Sequence, residues 1–486
     1  MEHPEAPRPP IRVPDPGSRA MARAAMAVLV LLVGATFWLQ QASTRTGASE
    51  SHARSRLDPG RVADPHALGA RIAVKLGADL PADSPLRPIL AEQAVPRGAA
   101  ERVRSAMVVG EVVGPGAALE ALSSAEASPG WPAAVERDPA LADDLRTLRA
   151  LYRDGRDEAG DAALASLADR HGWYGRVAGA FGLPETDPRR ASLISGGHGL
   201  AWTLGLFTVA LCVAVVGGVT ASVVFAVALA GRKLKPVMAA PAPGGSVYLE
   251  TAVVFFVLFL ALKVGLGVLG SGLDPHRGQV VAMSLQWGVA LAVFWPLVRG
   301  VSWSHWRADM GLHAGRGVWR EVGAGVAGYL ASMPLLAVAL AVSYAMVWLR
   351  SRSSAGVGGV GDGPSAGEAT NPIIEAMAQP APVPVMLLLL ATVWAPLVEE
   401  AVFRGALYRH LRSRLGVVLA AGAAGVVFGV GHGYPWYALL PVITLGVVFA
   451  LMRHWRGSLV ASMTAHALNN AVVAGFMYAL VAFAGD

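Results

Sequence analysis

Nine apolar runs, each about long enough to cross a hydrocarbon core, recur along the chain, and no other feature restricts its fold as much. They lie near residues 22–41, 199–230, 247–270, 280–298, 321–349, 383–408, 416–434, 437–453 and 458–482. In lipid a backbone must satisfy its own polar groups, so runs of this length fold as helices. Only 15% of residues are charged and 54% are hydrophobic, whereas a soluble globular protein carries about 25% charged residues. The expected fold class is therefore all-α: a polytopic membrane bundle of about nine transmembrane helices. The formal net charge of +6 does not imply nucleic acid as a partner, because the basic residues punctuate the ends of the apolar runs. The lone cysteine, Cys212, lies inside a run, which excludes an intrachain disulfide.

The same basic residues orient the runs. Arg8, Arg12, Arg19 and Arg23 precede the first, and Arg232, Lys233 and Lys235 follow the second. Arg299, Arg307, Arg316 and Arg320 lie between the fourth and fifth; Arg409, Arg412 and Arg414 join the sixth to the seventh; Arg453 and Arg456 join the eighth to the ninth. All fall on one face if the N-terminus is cytoplasmic, as the positive-inside rule prefers. Arg350 and Arg352 are exceptions. The first run also suits a signal peptide, but "WLQQASTRTGAS" offers no small-x-small cleavage site directly after it, which favours an uncleaved anchor.

Residues 42–197 are of another kind, rich in Ala, Arg, Asp and Glu with Pro and Gly breaks. "DPALADDLRTLRALYRDGRDEAGDAALASLADRHGWYGRVAGAF" reads as consecutive amphipathic helices, without a firm repeat period. By the topology this is an inserted extracytoplasmic helical domain, a spacer or a platform for a substrate or partner. The expected order is a tail (1–21), an anchor (22–41), this domain (42–197), accessory membrane helices (198–300) and a core (301–486). Residues 351–371, Gly- and Ser-rich, read as a flexible loop on the outer face.

The sixth run contains "APLVEEAVFRGALYRHL", with two adjacent carboxylates. A charge at the centre of a bilayer costs about 2.5–3.5 kcal/mol on insertion scales, so an offsetting role is needed. Glu400 and Arg404 are four apart on one helical face and neutralise each other. Glu399 points about 100° away and has no neighbour at helical spacing, which leaves it free to act as a base or metal ligand. Pro396 lacks an N–H and is expected to bend the helix before the glutamates. In the seventh run His432 follows Phe428 by four residues, among Gly425, Gly429 and Gly431. Counted from a turn near 414–416, Glu399 and His432 both stand roughly 22–26 Å away at 1.5 Å per residue, so an antiparallel pair brings them level. The ninth run places His466 and Asn470 on one face. Glu399, His432 and His466 make a His₂Glu set, the donor type used at catalytic zinc with an open water position, and Asn470 suits an oxyanion donor. Each also has a structural reading: a lone histidine or asparagine as interhelical glue, Glu400–Arg404 as an ion pair. Lys263 is expected to snorkel, His410 and His454 to be interfacial, and Trp303 and Trp306 to anchor at an interface.

Glu-Glu-x-x-x-Arg at 399–404, Phe-x-x-x-His at 428–432 and His-x-x-x-Asn at 466–470 resemble, in this order, the three motifs of the CPBP intramembrane proteases, which include the type II CAAX prenyl proteases and the Abi-like bacteriocin-processing and immunity proteins. "GSLVASMTAHALNN" and, more weakly, "DMGLHAGRGVW" add to the likeness. The resemblance implies a membrane bundle of the bacterial inner membrane that hydrolyses peptide bonds of membrane-associated or exported substrates. By position it implies that Glu399, assisted by His432, activates water, that His466 and Asn470 stabilise the oxyanion or His466 joins a zinc site, and that Glu400, Arg404 and Phe428 brace the site. Two other readings remain at this stage: a non-catalytic scaffold or immunity protein, and a proton-coupled transporter using the same groups. No inverted repeat of the runs supports the transporter.

Overall fold

Leucine, valine and alanine fill the long runs, and in the computed structural model these runs are helical. The structure describes residues 13–57, 65–91, 98–269, 274–355 and 372–485. Among them there is no strand, only an isolated bridge between Pro14 and Ala242. Among the described residues, eight helical segments are long and apolar enough to cross a membrane: Arg19–Ala42, Pro188–Ala230, Val247–Gly267, His276–Val298, Val318–Leu349, Val383–Arg412, Trp436–Arg456 and Val460–Ala484. The protein is an all-α, multi-pass membrane bundle.

The seventh run departs from expectation. Its helix, Val417–Gly431, has 15 residues and so spans roughly 22 Å, less than the ~30 Å of a hydrocarbon core. It stops before His432 because Gly433 takes φ +78° and Pro435 follows. The eighth run, shorter in sequence, gains Trp436–Ala438 as a 3₁₀ turn and reaches spanning length. Of the Gly/Ser-rich segment, residues 351–355 end the helix Val318–Ala355; 356–371 lie outside the described residues.

The chain divides into two compact units. The first comprises Met1–Thr44, Leu211–Gly363 and Ala381–Gly475. Its core gathers Phe255, Phe256, Trp306, Trp394, Phe403 and Phe428. Helices Val417–Gly431 and Leu439–Arg456 cross at backbone contact: a Cβ on Gly446 would lie 2.7 Å from the Gly425 Cα, the close approach that small residues allow in membranes. The buried Arg456 grips Glu321 with two bonds of 2.7 Å, joining Val318–Ala355 to the same helix. Trp306 is no interface anchor: it is 4% exposed, and its indole N–H donates to the Val293 carbonyl at 3.1 Å. Trp303, in contrast, is exposed.

The second unit comprises Arg45–Ala210, Pro364–Pro380 and Phe476–Asp486. Short helices from Pro65–Asp79 to Pro188–Ile194 surround a core of Met107, Leu122, Leu148, Leu167, Trp173 and Val177. Their amphipathic spacing is what the sequence shows between 138 and 181. A polar cluster is enclosed with them. His171 meets Asp144 at 2.9 Å through Nε2, and the Arg104 Nε donates to its Nδ1 at 3.4 Å. Burial, with the charges of Arg104 and Arg170, pushes His171 down to about 3, so its ring is neutral.

Candidate active site

Three helices meet at the carboxylates. Glu399 ends the short α-helical stretch Ala395–Glu399, which lies between two wider π-helical stretches, Leu390–Trp394 and Glu400–Leu407. Wide turns of this kind are rare and cluster at functional sites. Pro396 explains the first. The Ala395 N–H reaches back five residues to the Leu390 carbonyl, and the next bond in that register would run from residue 396 to Ala391. Proline has no N–H to make it. The Asn470 Nδ2 donates to the Ala391 carbonyl instead, at 2.8 Å. Where the sequence suggests a proline kink, the helix widens, and a side chain from Val460–Ala484 completes its bonding. Asn470 also accepts from the Asn469 Nδ2 at 3.1 Å.

The two glutamates have unlike surroundings. Glu400 and Arg404 are fully buried and bonded at 2.8 Å from Nη1 to Oε1. The same Oε1 lies 3.0 Å from the His466 Nδ1. An ionised carboxylate only accepts, so this nitrogen carries its proton and the lone pair is at Nε2. Arg404 also donates to the Gly446 carbonyl at 3.2 Å. Its guanidinium lies 4.0 Å from the Phe428 ring centre and 5.1 Å from that of Phe449. Such rings attract a desolvated cation strongly. Phe449 stacks on His466 as well, at 5.3 Å. A buried charge is thereby paired and covered on its faces.

Glu399 has no such partner. Its Oε2 is buried and makes no hydrogen bond among the described residues. The His432 Nε2 lies 3.8 Å from it and the His466 Nε2 3.9 Å. The His432 Nδ1 is 2.8 Å from the Phe428 carbonyl and must donate to it, which places the other lone pair at Nε2. Two imidazole lone pairs and a carboxylate oxygen, all acceptors, thus converge on one point. Exposure grades across the site: His432 has 28% of its side chain exposed, Glu399 15% and His466 3%.

The donor types suit zinc, but their spacing does not close on an ion. Ligands at about 2.0–2.1 Å from a shared tetrahedral zinc stand roughly 3.3 Å apart, closer than the 3.8 and 3.9 Å found here. Among the described residues no group of three or more His, Cys, Asp or Glu is arranged to hold a metal.

The structure thus brings together Glu399, His432 and His466, with Glu400, Arg404 and Phe428 directly behind them. Asn470 is engaged with the Ala391 carbonyl. Sequence reasoning passes over Phe449 and Gly446, which complete the enclosure of Arg404, and Gln40 and Gln41 of the first helix. Gly446 carries a trace of its role, as a small residue opposite Gly425. The glutamines carry none beyond their polarity at the end of an apolar run.

Residues 381–472 match a family model described as type II CAAX prenyl endopeptidase Rce1-like. The match spans all three motifs and agrees with the resemblance read from them. No curated protein and no solved structure was found to match the chain.

Proposed function

We propose, from the match of residues 381–472 to the Rce1-like type II CAAX prenyl endopeptidase model, an intramembrane endopeptidase in which Glu399 and His432 activate water. The observation that carries this reading is the bare Oε2 of Glu399, 3.8 Å from a histidine nitrogen whose tautomer is set by the Phe428 carbonyl. Acceptors separated beyond 3.5 Å are commonly bridged by a water. A water that donates one hydrogen to Glu399 and the other to His432 turns its lone pair towards a substrate carbonyl. Glu399 takes the proton as the oxygen attacks, and returns it to the amide nitrogen as the C–N bond of the tetrahedral intermediate breaks. His466, hydrogen-bonded through Nδ1 to Glu400, faces the same point with Nε2; a proton taken up there from solvent makes it an imidazolium that donates to the oxyanion. Asn470 contributes indirectly, by fixing the wide turn that aims Glu399.

The substrates in this reading are membrane-associated or exported peptides of a bacterial inner membrane, because the reactive groups lie in a membrane bundle. The test compares membrane proteomes of cells with and without the protein in heavy-oxygen water. We expect new carboxyl termini bearing solvent oxygen only when the protein is present. Their absence would favour a scaffold. The same membranes stripped with a strong chelator settle the zinc question: retained cleavage supports direct activation, and loss that added zinc restores supports a metal site.

A further inference from the structure

The helix Val417–Gly431 ends just before His432, which caps it. The last carbonyls of any helix lack partners within it, and at membrane depth they must find donors elsewhere. At Val417–Gly431 one donor comes from the other end of the sequence. The Gln40 Nε2 donates to the Gly431 carbonyl at 3.2 Å, and the Gln41 Nε2 donates to the Tyr434 carbonyl at 3.3 Å. These two carbonyls bracket His432. Gly433, the residue between His432 and Tyr434, has φ +78°, and a Cβ there would lie 2.9 Å from the Gln40 side chain. The loop is therefore pressed directly against the first helix. Gln40 itself is 5% exposed. Anchoring in a bilayer requires apolar residues only; two amides at the end of the span, both directed to one loop, serve another purpose.

We infer that Gln40 and Gln41 are positioning residues for His432, which makes the first helix part of the active site. This rests on the hydrolase reading above. The glutamines touch no reacting atom; they hold the backbone on both sides of the imidazole, and so fix the distance between its Nε2 and Glu399.

The test uses the full chain with Gln40→Met and Gln41→Met together, which keep side-chain length and remove the donors. One readout needs no substrate: the rate at which diethyl pyrocarbonate acylates His432 in membranes, followed by mass spectrometry with His466 as internal reference. The other is the kcat and KM of cleavage. The expected result is faster acylation of His432 relative to His466, and a kcat lower by about 10²-fold, the cost of a displacement near 1 Å, with KM unchanged. If the double variant does not fold, Gly433→Ala carries the test from the opposite side, with the same expected rise in acylation. A folded variant with unchanged acylation and unchanged kcat overturns the inference. Faster acylation in a chain whose wild type cleaves nothing keeps the clamp and overturns the hydrolase reading.

Discussion

Glu399 and Glu400 are neighbours in sequence and opposites in bonding. Glu400 accepts from Arg404 and His466 through one oxygen, while the Glu399 Oε2 accepts from nothing among the described residues. This difference separates the roles of the two carboxylates. Glu400→Gln leaves Arg404 charged and buried, and breaking a buried pair from one side costs about 3–5 kcal/mol. Glu400→Gln with Arg404→Gln should recover part of that stability. Turnover should stay below that of wild type in the double variant, because a neutral amide oxygen replaces the carboxylate that accepts from His466. Thermal unfolding in detergent, measured beside cleavage, checks both halves; recovery of activity together with stability would reduce Glu400 to an ion-pair partner. Helical spacing alone makes the Glu400–Arg404 pair legible in the sequence. It does not reveal the His466 bond, which links residues 66 apart and leaves no periodic trace. The cover over Arg404 is equally hidden, since Phe449 looks in sequence like any other residue of an apolar run.

The helices were more legible than their ends. Run length predicts which segments are helical, because lipid allows little else. It predicts neither that the seventh run stops at Gly431 nor that the sixth widens around Pro396, since both depend on local hydrogen bonding that other segments complete. The widened turn has a testable cause. If Asn470 replaces the missing Pro396 N–H at the Ala391 carbonyl, Asn470→Ala should cost about 0.6–1.7 kcal/mol, the range of interhelical bonds in membranes. In a Pro396→Ala background the loss should shrink, because residue 396 then supplies its own N–H. A thermal-stability double-mutant cycle measures this coupling; strictly additive losses would show that proline and asparagine act independently. His171 gives the short helices of the second unit a different signature. Its ring is held neutral, at about 3 against an ordinary 6.5, so below that ordinary value the unfolded chain binds the extra proton. Stability of this unit should therefore fall progressively as pH drops from about 6.5 towards 3, and rise with pH through that window. His171→Gln should flatten the profile in hydrogen-exchange measurements on the full chain. An unchanged profile would assign the acid sensitivity to other groups.

The whole molecule joins a membrane bundle that carries the reactive groups to a helical unit that matches no part of the family model. The division does not follow composition alone: the second unit takes residues 199–210 and Phe476–Asp486 from apolar runs together with the charged amphipathic helices. Composition does not distinguish a spacer from a platform in the helical unit, since surface recognition has no periodicity to read. In the proposed mechanism the chemistry turns on one oxygen atom of the bundle, the unbonded Oε2 of Glu399. Removing the basic oxygen while keeping its shape is the most direct test. In membranes carrying wild-type protein, Glu399→Gln or Glu400→Gln at matched folded amounts, single-turnover incorporation of solvent oxygen into the new carboxyl terminus should be lowered about 10²–10⁴-fold by Glu399→Gln, the usual loss for a general base. Glu400→Gln should retain a measurable rate per folded molecule. Normal incorporation with Glu399→Gln, beside a folded and inactive Glu400→Gln, would contradict the account.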